Sequence, residues 1–444
     1  MNAGPGDAAD WRLRQQFLGL LALAVLPLAA LLIAHRVLVR RKPLVGARDK
    51  LTGGGPPLAR GQVLVHGVSL GEVALMRPLV PRLEAVFGAR CLLTTTTDTG
   101  RRALDEQFPT HQRAFLPFDA PWAVRRFLAR AQPRAVVLLE LEIWPALLCA
   151  CRERGIPVLL LNARINEGSF RGYRTLRPLI RPLLRGLELT LAQTPLWGAR
   201  LAALGVPRAR LGVPGSLKAD IVRPASAAEA STLAMRVGLR AGQPLLLLAS
   251  TSAGADGASD EEATALGDRL VWWHGQGWRV VICPRHPERG GAVATLVERL
   301  GGVPRRTSRG DALGGLVNEV LVVDEIGRLA ALYAWTAASG GIAVVGGGLG
   351  SGRRGQNMLE AAAVGCCTVV GWDTRNFPDA MAQLREADGV VALAATGDLG
   401  PLLALAGDPA RRAGLGQRAQ TAWRAGQGAI ERTIARVGFA VRKR

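Results

Sequence analysis

The hydrophobic pattern of the chain has two parts. Near its start, Phe17–Ala34 is an unbroken stretch of uncharged residues, mostly Leu, Ala and Val, and a helix needs roughly 17–25 such residues to cross a bilayer. Beyond a Gly- and Pro-rich linker at Thr52–Pro57, short apolar runs alternate with segments of helical periodicity, such as Glu72–Phe87 and Pro145–Gly155. This alternation predicts parallel sheets that are covered by helices on both faces.

The apolar runs form two groups, separated by a stretch with few strand signals near residues 212–241. The predicted strands are Gln62–His66, Arg90–Thr94, Ala135–Glu140, Pro157–Asn162 and Leu189–Gln193, then Pro244–Ala249, Trp278–Pro284, Val320–Val323, Ile342–Val345 and Cys367–Val370. We therefore predict an α/β protein with two Rossmann-like domains, residues 44–213 and 214–425, that face a cleft. A membrane-anchor helix within residues 1–43 precedes them, and a helix at residues 426–444 packs back on the first domain.

Charge around the apolar stretch predicts its orientation. Basic residues flank it on both sides, with Arg12 and Arg14 before it and Arg36, Arg40, Arg41 and Lys42 after it. The heavier positive flank stays in the cytoplasm, which places the body of the protein there. His35 and Arg36 stand where a signal peptide would carry small residues for cleavage. An uncleaved anchor is favoured over a signal peptide, and a helix lying in the membrane interface is the other alternative.

Composition narrows the class of partner. The formal net charge is +21, and nearly all of the positive side chains are arginines, a bias that a GC-rich genome also produces. Aromatic residues make up only 5% of the chain and no nucleic-acid-binding motif is present, so the charge favours an anionic membrane or a phosphorylated substrate over nucleic acid. The six cysteines are scattered, which indicates a reducing compartment and no structural zinc.

A glycine-rich segment in the second half has the pattern of a nucleotide-sugar site. The predicted strand Ile342–Val345 leads into the loop Gly346–Gly355, and a helix follows with Asn357 and Glu360 in its first turns. Glycines allow a ligand to approach the backbone closely. The start of a helix attracts phosphate, and a carboxylate one turn later can accept hydrogen bonds from a ribose. The alternative is an ordinary turn between a strand and a helix.

Polar blocks follow the predicted strands of the first half. Glu72 opens a helix after the first strand and can serve as a general base, or only as an acid favoured by the helix dipole. The threonines of Thr94–Gly100 can donate hydroxyl groups to a sugar or a phosphate, or simply end a strand. Glu140 and Glu142 share one face of an extended chain at the end of an apolar strand, where a buried carboxylate needs a reason. Asn162 and Arg164 close the next strand.

Arginines recur through Phe170–Leu187 at spacings of three and four residues, which would place them on one face of a helix. They are Arg171, Arg174, Arg177, Arg181 and Arg185. This face suits an anionic membrane surface or a lipid phosphate, although Pro178 and Pro182 would interrupt a continuous helix. A solvated basic face is the alternative.

In their order along the chain, these blocks resemble the 3-deoxy-D-manno-octulosonic acid (Kdo) transferases, membrane-attached enzymes that add Kdo to lipid A precursor. The motifs are H-x-V-S-x-G-E at 66–72, T-T-T-x-x-T-G at 94–100, E-x-E-x-W-P at 140–145, N-A-R at 162–164, G-S-L-K-x-D at 215–220, P-R-H-P-E-R at 284–289, N-x-L-E at 357–360 and N-F at 376–377. The resemblance extends from the anchor to about residue 380.

The resemblance implies a GT-B fold, CMP-Kdo as donor, and inverting transfer to the 6′-hydroxyl of lipid A precursor (lipid IVA) at the bacterial inner membrane. Glu72 aligns with the general base of the family. The implied acceptor-binding residues are Ser69, Gly71, Thr95, Thr97, Glu140, Glu142, Asn162, Arg164, Arg171 and Arg174. The implied donor-binding residues are Lys218, Ser250, Thr251, Arg285, His286, Gly346, Gly347, Gly348, Gln356, Asn357, Glu360 and Asn376. No D-x-D motif is present, so neither a metal nor another cofactor is expected.

The chain departs from the family pattern at three positions. Ser252 and Gln356 replace two histidines, and Ala146 replaces an asparagine. These departures keep a second hypothesis open, a membrane-anchored GT-B paralogue with another activated sugar or lipid acceptor. A non-catalytic nucleotide-binding scaffold and a nucleic-acid binder are the remaining alternatives.

Overall fold

The structure is a computed structural model that describes residues 45–254, 260–395 and 397–442. The chain folds as two compact units. The first unit runs to Ile221 and takes up the chain again at Gly428, and the second unit is Val222–Gln427. No helix within the described ranges is both long and apolar enough to cross a membrane, and the predicted anchor lies outside them.

The first unit is built on a seven-stranded parallel sheet with the order β3-β2-β1-β4-β5-β6-β7. The strands are β1 (Val63–His66), β2 (Cys91–Thr95), β3 (Gln112–Phe115), β4 (Ala135–Leu139), β5 (Val158–Ala163), β6 (Leu189–Ala192) and β7 (Leu211–Gly212). The helices are α1 (Ala47–Thr52), α2 (Leu70–Phe87), α3 (Asp98–Gln107), α4 (Pro121–Ala131), α5 (Pro145–Glu153), α6 (Glu167–Thr175), α7 (Arg177–Arg185), α8 (Pro195–Leu204), α9 (Lys218–Ile221) and, after the second unit, α19 (Ala429–Arg442).

Alternate residues of the central strands fill two cores, one on each face of this sheet. On one face, Leu64, Val136 and Leu160 pack with α4, α5, α7 and α8. On the other face, Val65 and Val137 pack with α2, α3 and α19. Because both faces are covered, these strands read as continuous apolar runs and not as an alternating pattern.

The second unit repeats this architecture with a parallel sheet of order β10-β11-β9-β8-β12-β13-β14. Its strands are β8 (Leu245–Thr251), β9 (Arg279–Pro284), β10 (Val303–Arg306), β11 (Glu319–Val322), β12 (Ile342–Val345), β13 (Cys367–Val370) and β14 (Val391–Ala392). Its helices are α10 (Ala227–Val237), α11 (Glu261–Leu266), α12 (Leu270–Gly275), α13 (Gly290–Arg299), α14 (Leu329–Ala338), α15 (Leu359–Ala363), α16 (Pro378–Glu386), α17 (Gly400–Ala406) and α18 (Pro409–Gly426).

All of the predicted strands are confirmed to within two residues. The arginine-rich segment is interrupted, as its prolines indicated: the chain breaks at Leu176 between α6 and α7, and Pro178 lies in the first turn of α7. Pro182 lies inside α7 and does not end it. The helix predicted within residues 426–444 is present as α19, Ala429–Arg442, and it is separated from α18 at Gln427 and Gly428. The sequence predicts a domain boundary after residue 213, whereas the first unit of the structure continues to Ile221.

Asp220 fastens the returning helix α19 to the first unit. Its carboxylate accepts hydrogen bonds from the backbone N–H groups of Gly428 (2.8 Å) and Ile430 (2.7 Å). These donors lie at the start of α19, where backbone N–H groups lack partners inside the helix. We expect Asp220→Ala to lower the free energy of unfolding by about 1–3 kcal/mol, as measured by urea denaturation.

Asp268→Ala is the matched control, because the Asp268 side chain is 95% exposed. An Asp220→Ala midpoint equal to that of the control would contradict the role of Asp220 as a cap.

Candidate active site

The carboxyl edge of the first sheet gathers the polar blocks of the sequence. The chain passes from β1 to β2 on one side of β1, and β4 lies on its other side. The loops that follow β1 and β4 therefore leave the sheet in opposite directions. Open α/β sheets bind ligands at the crevice between two such loops, the topological switch point. These two loops carry Glu72 and Glu140.

Glu72 is a buried carboxylate in the first turn of α2, with 7% of its surface exposed. One carboxylate oxygen accepts from the N–H of Val68 (2.7 Å), and the other accepts from the hydroxyl of Ser69 (2.8 Å). Ser69 in turn accepts from the N–H of Glu72 as the cap of α2. Burial raises the pKa of Glu72, and the nearby carboxylate of Glu140 raises it further. The carboxylate of Glu72 is thus fixed by the turn before its helix and also has the basicity of a proton acceptor.

The predicted threonines hold the loop that carries Glu72. Thr95 and Thr97 donate their hydroxyl groups to the carbonyl of Val68, at 3.1 and 2.6 Å. Thr97 also caps α3 by accepting from the N–H of Gly100. In the structure these hydroxyl protons are donated to the protein backbone, and the role of Thr95 and Thr97 in binding the acceptor stays a prediction. Gly71 lies in the first turn of α2, between Ser69 and Glu72.

Glu140 joins two cations at the end of β4. Its side chain is buried, and its backbone φ is +62°, a conformation that non-glycine residues adopt rarely. The two carboxylate oxygens bind Arg164 Nε and Lys218 Nζ, each at 2.7 Å. Lys218, which the sequence assigned to the donor, belongs to the first unit and is held by this acid.

Asn162 positions the segment that ends in Lys218. Its side-chain carbonyl accepts from the N–H of Leu217 (3.0 Å), and its backbone carbonyl accepts from Gln193 Nε2 (2.7 Å). Gln193 in turn accepts from the hydroxyl of Ser216 at 3.1 Å. The side chain of Asn162 is therefore used for positioning, like those of the threonines.

Glu142 is the second carboxylate near Glu72. Burial raises its pKa to about 7, with a further contribution from the charge of Glu72. The indole N–H of Trp144 donates to Glu142, and the Trp144 ring meets the ring of His66 edge-on with centroids 5.7 Å apart. Burial lowers the pKa of His66 to about 3, so this imidazole is neutral beside the carboxylates at physiological pH.

Asp119 is a residue of this region that the sequence analysis missed. Its carboxylate accepts from the N–H groups of Ala146 and Leu147, both at 2.9 Å, at the start of α5. Burial raises its pKa to about 6. Asp119 thereby fixes the end of the loop that carries Glu140 and Glu142, and its distance along the chain from that loop left no sequence signal.

Arg171 and Arg174 lie on α6, and their contacts are with residues outside the cluster of Glu72, Glu140 and Glu142. Arg171 pairs with Glu167 at 2.9 Å, and Arg174 lies over the ring of Phe170. Both arginines are exposed. They suit a surface contact better than a contact with the reacting atoms.

In the second unit, the glycine loop is held by a buried carboxylate that the sequence analysis did not assign. Glu261 has no exposed surface. It accepts from the N–H groups of Ser252 (2.9 Å), Gly347 (2.6 Å) and Leu349 (2.8 Å), and from the hydroxyl of Ser351 (2.9 Å). Four donors compensate for the burial of this acid.

The glycines of the loop are required by packing within the protein. A Cβ on Gly346 would lie 2.7 Å from Glu261 Oε2, and one on Gly347 would lie 2.8 Å from the backbone of Gly355. A Cβ on Gly348 would lie 2.9 Å from the carbonyl of Asp373. The helix predicted after the loop is present as α15, which begins at Leu359 and has five residues, so Glu360 lies in its first turn and Asn357 precedes it.

Glu360 lies in the first turn of α15, beside Asn357 and Arg285. Asn357 donates to Glu360 at 3.2 Å, and Arg285 is close enough to act on the Glu360 charge. Burial raises the pKa of Glu360, whereas the Asn357 hydrogen bond and Arg285 lower it. Arg285 is exposed and forms no ion pair among the described side chains, so it can meet an incoming anion.

The other residues predicted to bind the donor differ in their exposure and in their hydrogen-bond partners. Ser250 has a φ of +53° at the end of β8, and Thr251 donates to buried Glu262 at 2.6 Å. His286 is exposed, with Glu288 at 3.7 Å. Gln356 donates its backbone N–H to Gly346, and Asn376 donates to the carbonyl of Arg353 at 2.8 Å. Within the described ranges, no group of three or more His, Cys, Asp or Glu could hold a metal ion.

Comparison with known proteins defines the class of this chain as a glycosyltransferase. A family model described as "3-Deoxy-D-manno-octulosonic-acid transferase (kdotransferase)" matches residues 37–221. A 3-deoxy-D-manno-octulosonic acid transferase of Bordetella pertussis is 37% identical over 402 residues, which cover 85% of this chain and 87% of that protein. One of Haemophilus influenzae is 29% identical and covers 76% of each chain. The chain belongs to the Kdo transferase family.

Solved structures with a similar fold identify the architecture of the chain. The UDP-GlcNAc 2-epimerase from Neisseria meningitidis, bound to UDP-GlcNAc, superposes with a TM-score of 0.55 at 14% identity and covers 86% of this chain and all of that one. The S. aureus MnaA–UDP structure gives a TM-score of 0.57 at 12% identity, covering 86% and 97%. Two parallel-sheet α/β units of the GT-B kind, as predicted, are thereby confirmed.

The pKa of Glu142 predicts a pH dependence of stability. A folded-state pKa of about 7, against an ordinary 4.5, means that the folded state holds a proton that the unfolded state releases. Stability must therefore fall as the pH rises from about 4.5 to 7. Glu142→Gln removes this cost, so we expect the variant to gain melting temperature relative to wild type at pH 8 but much less at pH 5.

The same comparison of melting temperatures at pH 5 and pH 8 is made with Glu106→Gln as the control, because Glu106 is an exposed acid on α3. A gain that is equal at both pH values would exclude a raised pKa of Glu142 as its cause.

Removal of the Glu261 charge should loosen the glycine loop. Glu261→Gln keeps the shape but cannot accept all four hydrogen bonds equally well, so we expect a loss of about 1–3 kcal/mol in the free energy of unfolding. Hydrogen exchange at residues 346–351 should rise with it. Glu298→Gln, at an exposed position of α13, should change neither, and an unchanged loop in Glu261→Gln would refute the anchoring role.

Proposed function

We propose that this protein transfers Kdo from CMP-Kdo to the 6′-hydroxyl of lipid A precursor, with inversion at the anomeric carbon. The observation that carries the proposal is the buried Glu72, whose pKa is raised, at the switch point of the first sheet. The membership of the chain in the Kdo transferase family supports the sugar that is transferred.

Glu72 is the proposed general base. In a single displacement, the acceptor hydroxyl oxygen attacks the anomeric carbon while the bond from that carbon to the CMP phosphate breaks. The hydroxyl proton goes to Glu72, and the bonding electrons leave with CMP. A raised pKa makes the carboxylate a stronger base, and the donors Val68 N–H and Ser69 Oγ fix its orientation.

Positive charge beside Glu72 supports the departure of the phosphate. Arg164 and Lys218 are both oriented by Glu140, so their geometry is set before substrate binds. We assign to Lys218 the stabilisation of charge on the leaving phosphate, because a preorganised cation costs little reorganisation at the moment of reaction. Glu142, the neighbouring acid, orients the acceptor or the base.

The donor nucleotide is assigned to the second unit. Arg285 has the exposure and charge to bind the CMP phosphate, and Glu360 has the oxygen atoms to accept from ribose hydroxyl groups. The glycine loop, held by Glu261, supports their arrangement. We propose that the transfer needs no metal or other cofactor, since these cations can supply the charge.

The proposed location is the cytoplasmic side of the bacterial inner membrane. The apolar stretch Phe17–Ala34 serves as the anchor, and the exposed arginines of α6, Arg171 and Arg174, face the anionic surface. Nucleic acid is not a proposed partner.

A second candidate is a paralogue that uses another activated sugar or another lipid acceptor. The observation in its favour is Ser252, which replaces a histidine of the family and whose buried hydroxyl has no hydrogen-bond partner among the described residues. A donor that occupies this position differently from CMP-Kdo would explain the replacement.

One transfer experiment tests the function and the base together. Full-length protein is incubated with tetra-acylated lipid A precursor and CMP-Kdo generated in situ, and the product is read by mass spectrometry. We expect a Kdo mass increment with wild type and a rate lower by roughly 10²–10⁴ in Glu72→Gln.

Glu106→Gln is the matched control and should retain the wild-type rate, because Glu106 is exposed and outside the site. A full rate in Glu72→Gln would reject the base. No increment with folded wild type, together with an increment from another nucleotide sugar, would favour the paralogue.

A further inference from the structure

A groove lined by arginines lies beside α7 in the first unit. It has a volume of about 540 Å³. Its walls are Arg177, Arg181 and Arg185 of α7, with Ala202, Gly205, Val206, Pro207 and Arg210 from the end of α8 and the following loop. No carboxylate lines it, so four guanidinium groups face the same space without an acid among them.

The α7 arginines differ from their neighbours in having no acidic partner. On α6, Arg171 pairs with Glu167, and Arg200 of α8 pairs with the same acid. Arg177, Arg181 and Arg185 form no ion pair among the described residues, although successive members are four residues apart on one helix. Like charges at this spacing repel each other, and an anion in the groove would relieve the repulsion.

The groove is fixed by packing as well as by charge. The buried residues Ile180, Leu183 and Leu184 hold the opposite side of α7 in the core. Gly205 has a φ of +124°, and a Cβ there would lie 2.5 Å from Arg181 Cγ, so the stem of Arg181 rests directly on the loop. Arg210 donates to the carbonyl of Leu187 at 3.0 Å.

One end of the groove lies far from the proposed chemistry. Leu187 precedes β6, and Arg210 precedes β7. In a parallel sheet both residues are therefore at the amino edge, whereas Glu72 and Glu140 are at the carboxyl edge. The groove is not the place where the acceptor hydroxyl reacts.

We propose that the groove binds the phosphate headgroup of an anionic membrane lipid. Guanidinium groups bind phosphate oxygens through paired hydrogen bonds. A lipid is favoured over a soluble anion because two large apolar side chains at the start of α7, Leu176 and Leu179, are 51% and 47% exposed beside these charges. This inference rests on the membrane association in the proposed function and does not depend on which sugar is transferred.

Hydrogen exchange on the full-length chain in lipid nanodiscs tests the groove directly. Exchange at residues 177–185 and 205–210 is compared between discs of phosphatidylcholine alone and discs that also contain phosphatidic acid. We expect phosphatidic acid to slow exchange there by about tenfold, once it is in roughly tenfold excess over its dissociation constant. Inorganic phosphate added to phosphatidylcholine discs should not reproduce the effect.

The variant Arg181→Gln/Arg185→Gln should lose most of the slowing. The control variant Arg77→Gln/Arg102→Gln removes the same amount of charge from exposed positions of α2 and α3. It should retain the slowing of hydrogen exchange by phosphatidic acid. Equal exchange of wild type in both lipids would overturn the proposal, as would equal protection by inorganic phosphate or an equal loss in the control pair. Sugar transfer is not measured here, so failure of the groove and failure of the transferase assignment remain distinguishable.

Discussion

The carboxyl edge of the sheet in the first unit depends on the burial of one carboxylate between two cations. Glu140 lies at the end of β4, takes a strained backbone conformation and binds both Arg164 and Lys218. Removing one partner of such a buried group leaves an uncompensated charge, so the three residues have to be placed together. Their ion pairs join the loops after β4 and β5 to the first residue of α9. The charges of Glu140 and Arg164 act on the pKa of Glu72 in opposite directions.

The central strands could be predicted from sequence because both faces of each sheet are covered, which makes them continuous apolar runs. The edge strands Gln112–Phe115 and Val303–Arg306 were missed because they are only partly buried and keep polar side chains. The break between α6 and α7 was signalled by Pro178, whereas Pro182 is accommodated inside α7. The apolar stretch at Phe17–Ala34, outside the described ranges, stays a prediction.

The motifs predicted that several polar side chains lie together at the carboxyl edge of the first sheet, but not the contacts that each of them makes. Glu72 has the burial expected of a base, whereas Thr95 and Thr97 support its loop. The hydroxyl groups of Thr95 and Thr97 bind Val68 because β2 lies beside β1 in the sheet. The order of strands in a sheet cannot be read from the sequence motifs. Glu261 shows the same limit in the second unit, because its partners Gly347 and Leu349 are far along the chain. Long-range contacts decide roles that local patterns leave open.

The path of the chain has a consequence for biosynthesis. The first unit is discontinuous, since α19 returns to it only after the whole of Val222–Gln427 has been made. Ala429, Ile430 and Val437 complete the apolar layer over α2, and until they emerge from the ribosome that layer faces water. Domains normally fold in order of synthesis, but here the second unit can close before the first. The nascent first unit therefore exposes an apolar surface while the second unit is being made, and such a surface is prone to aggregation.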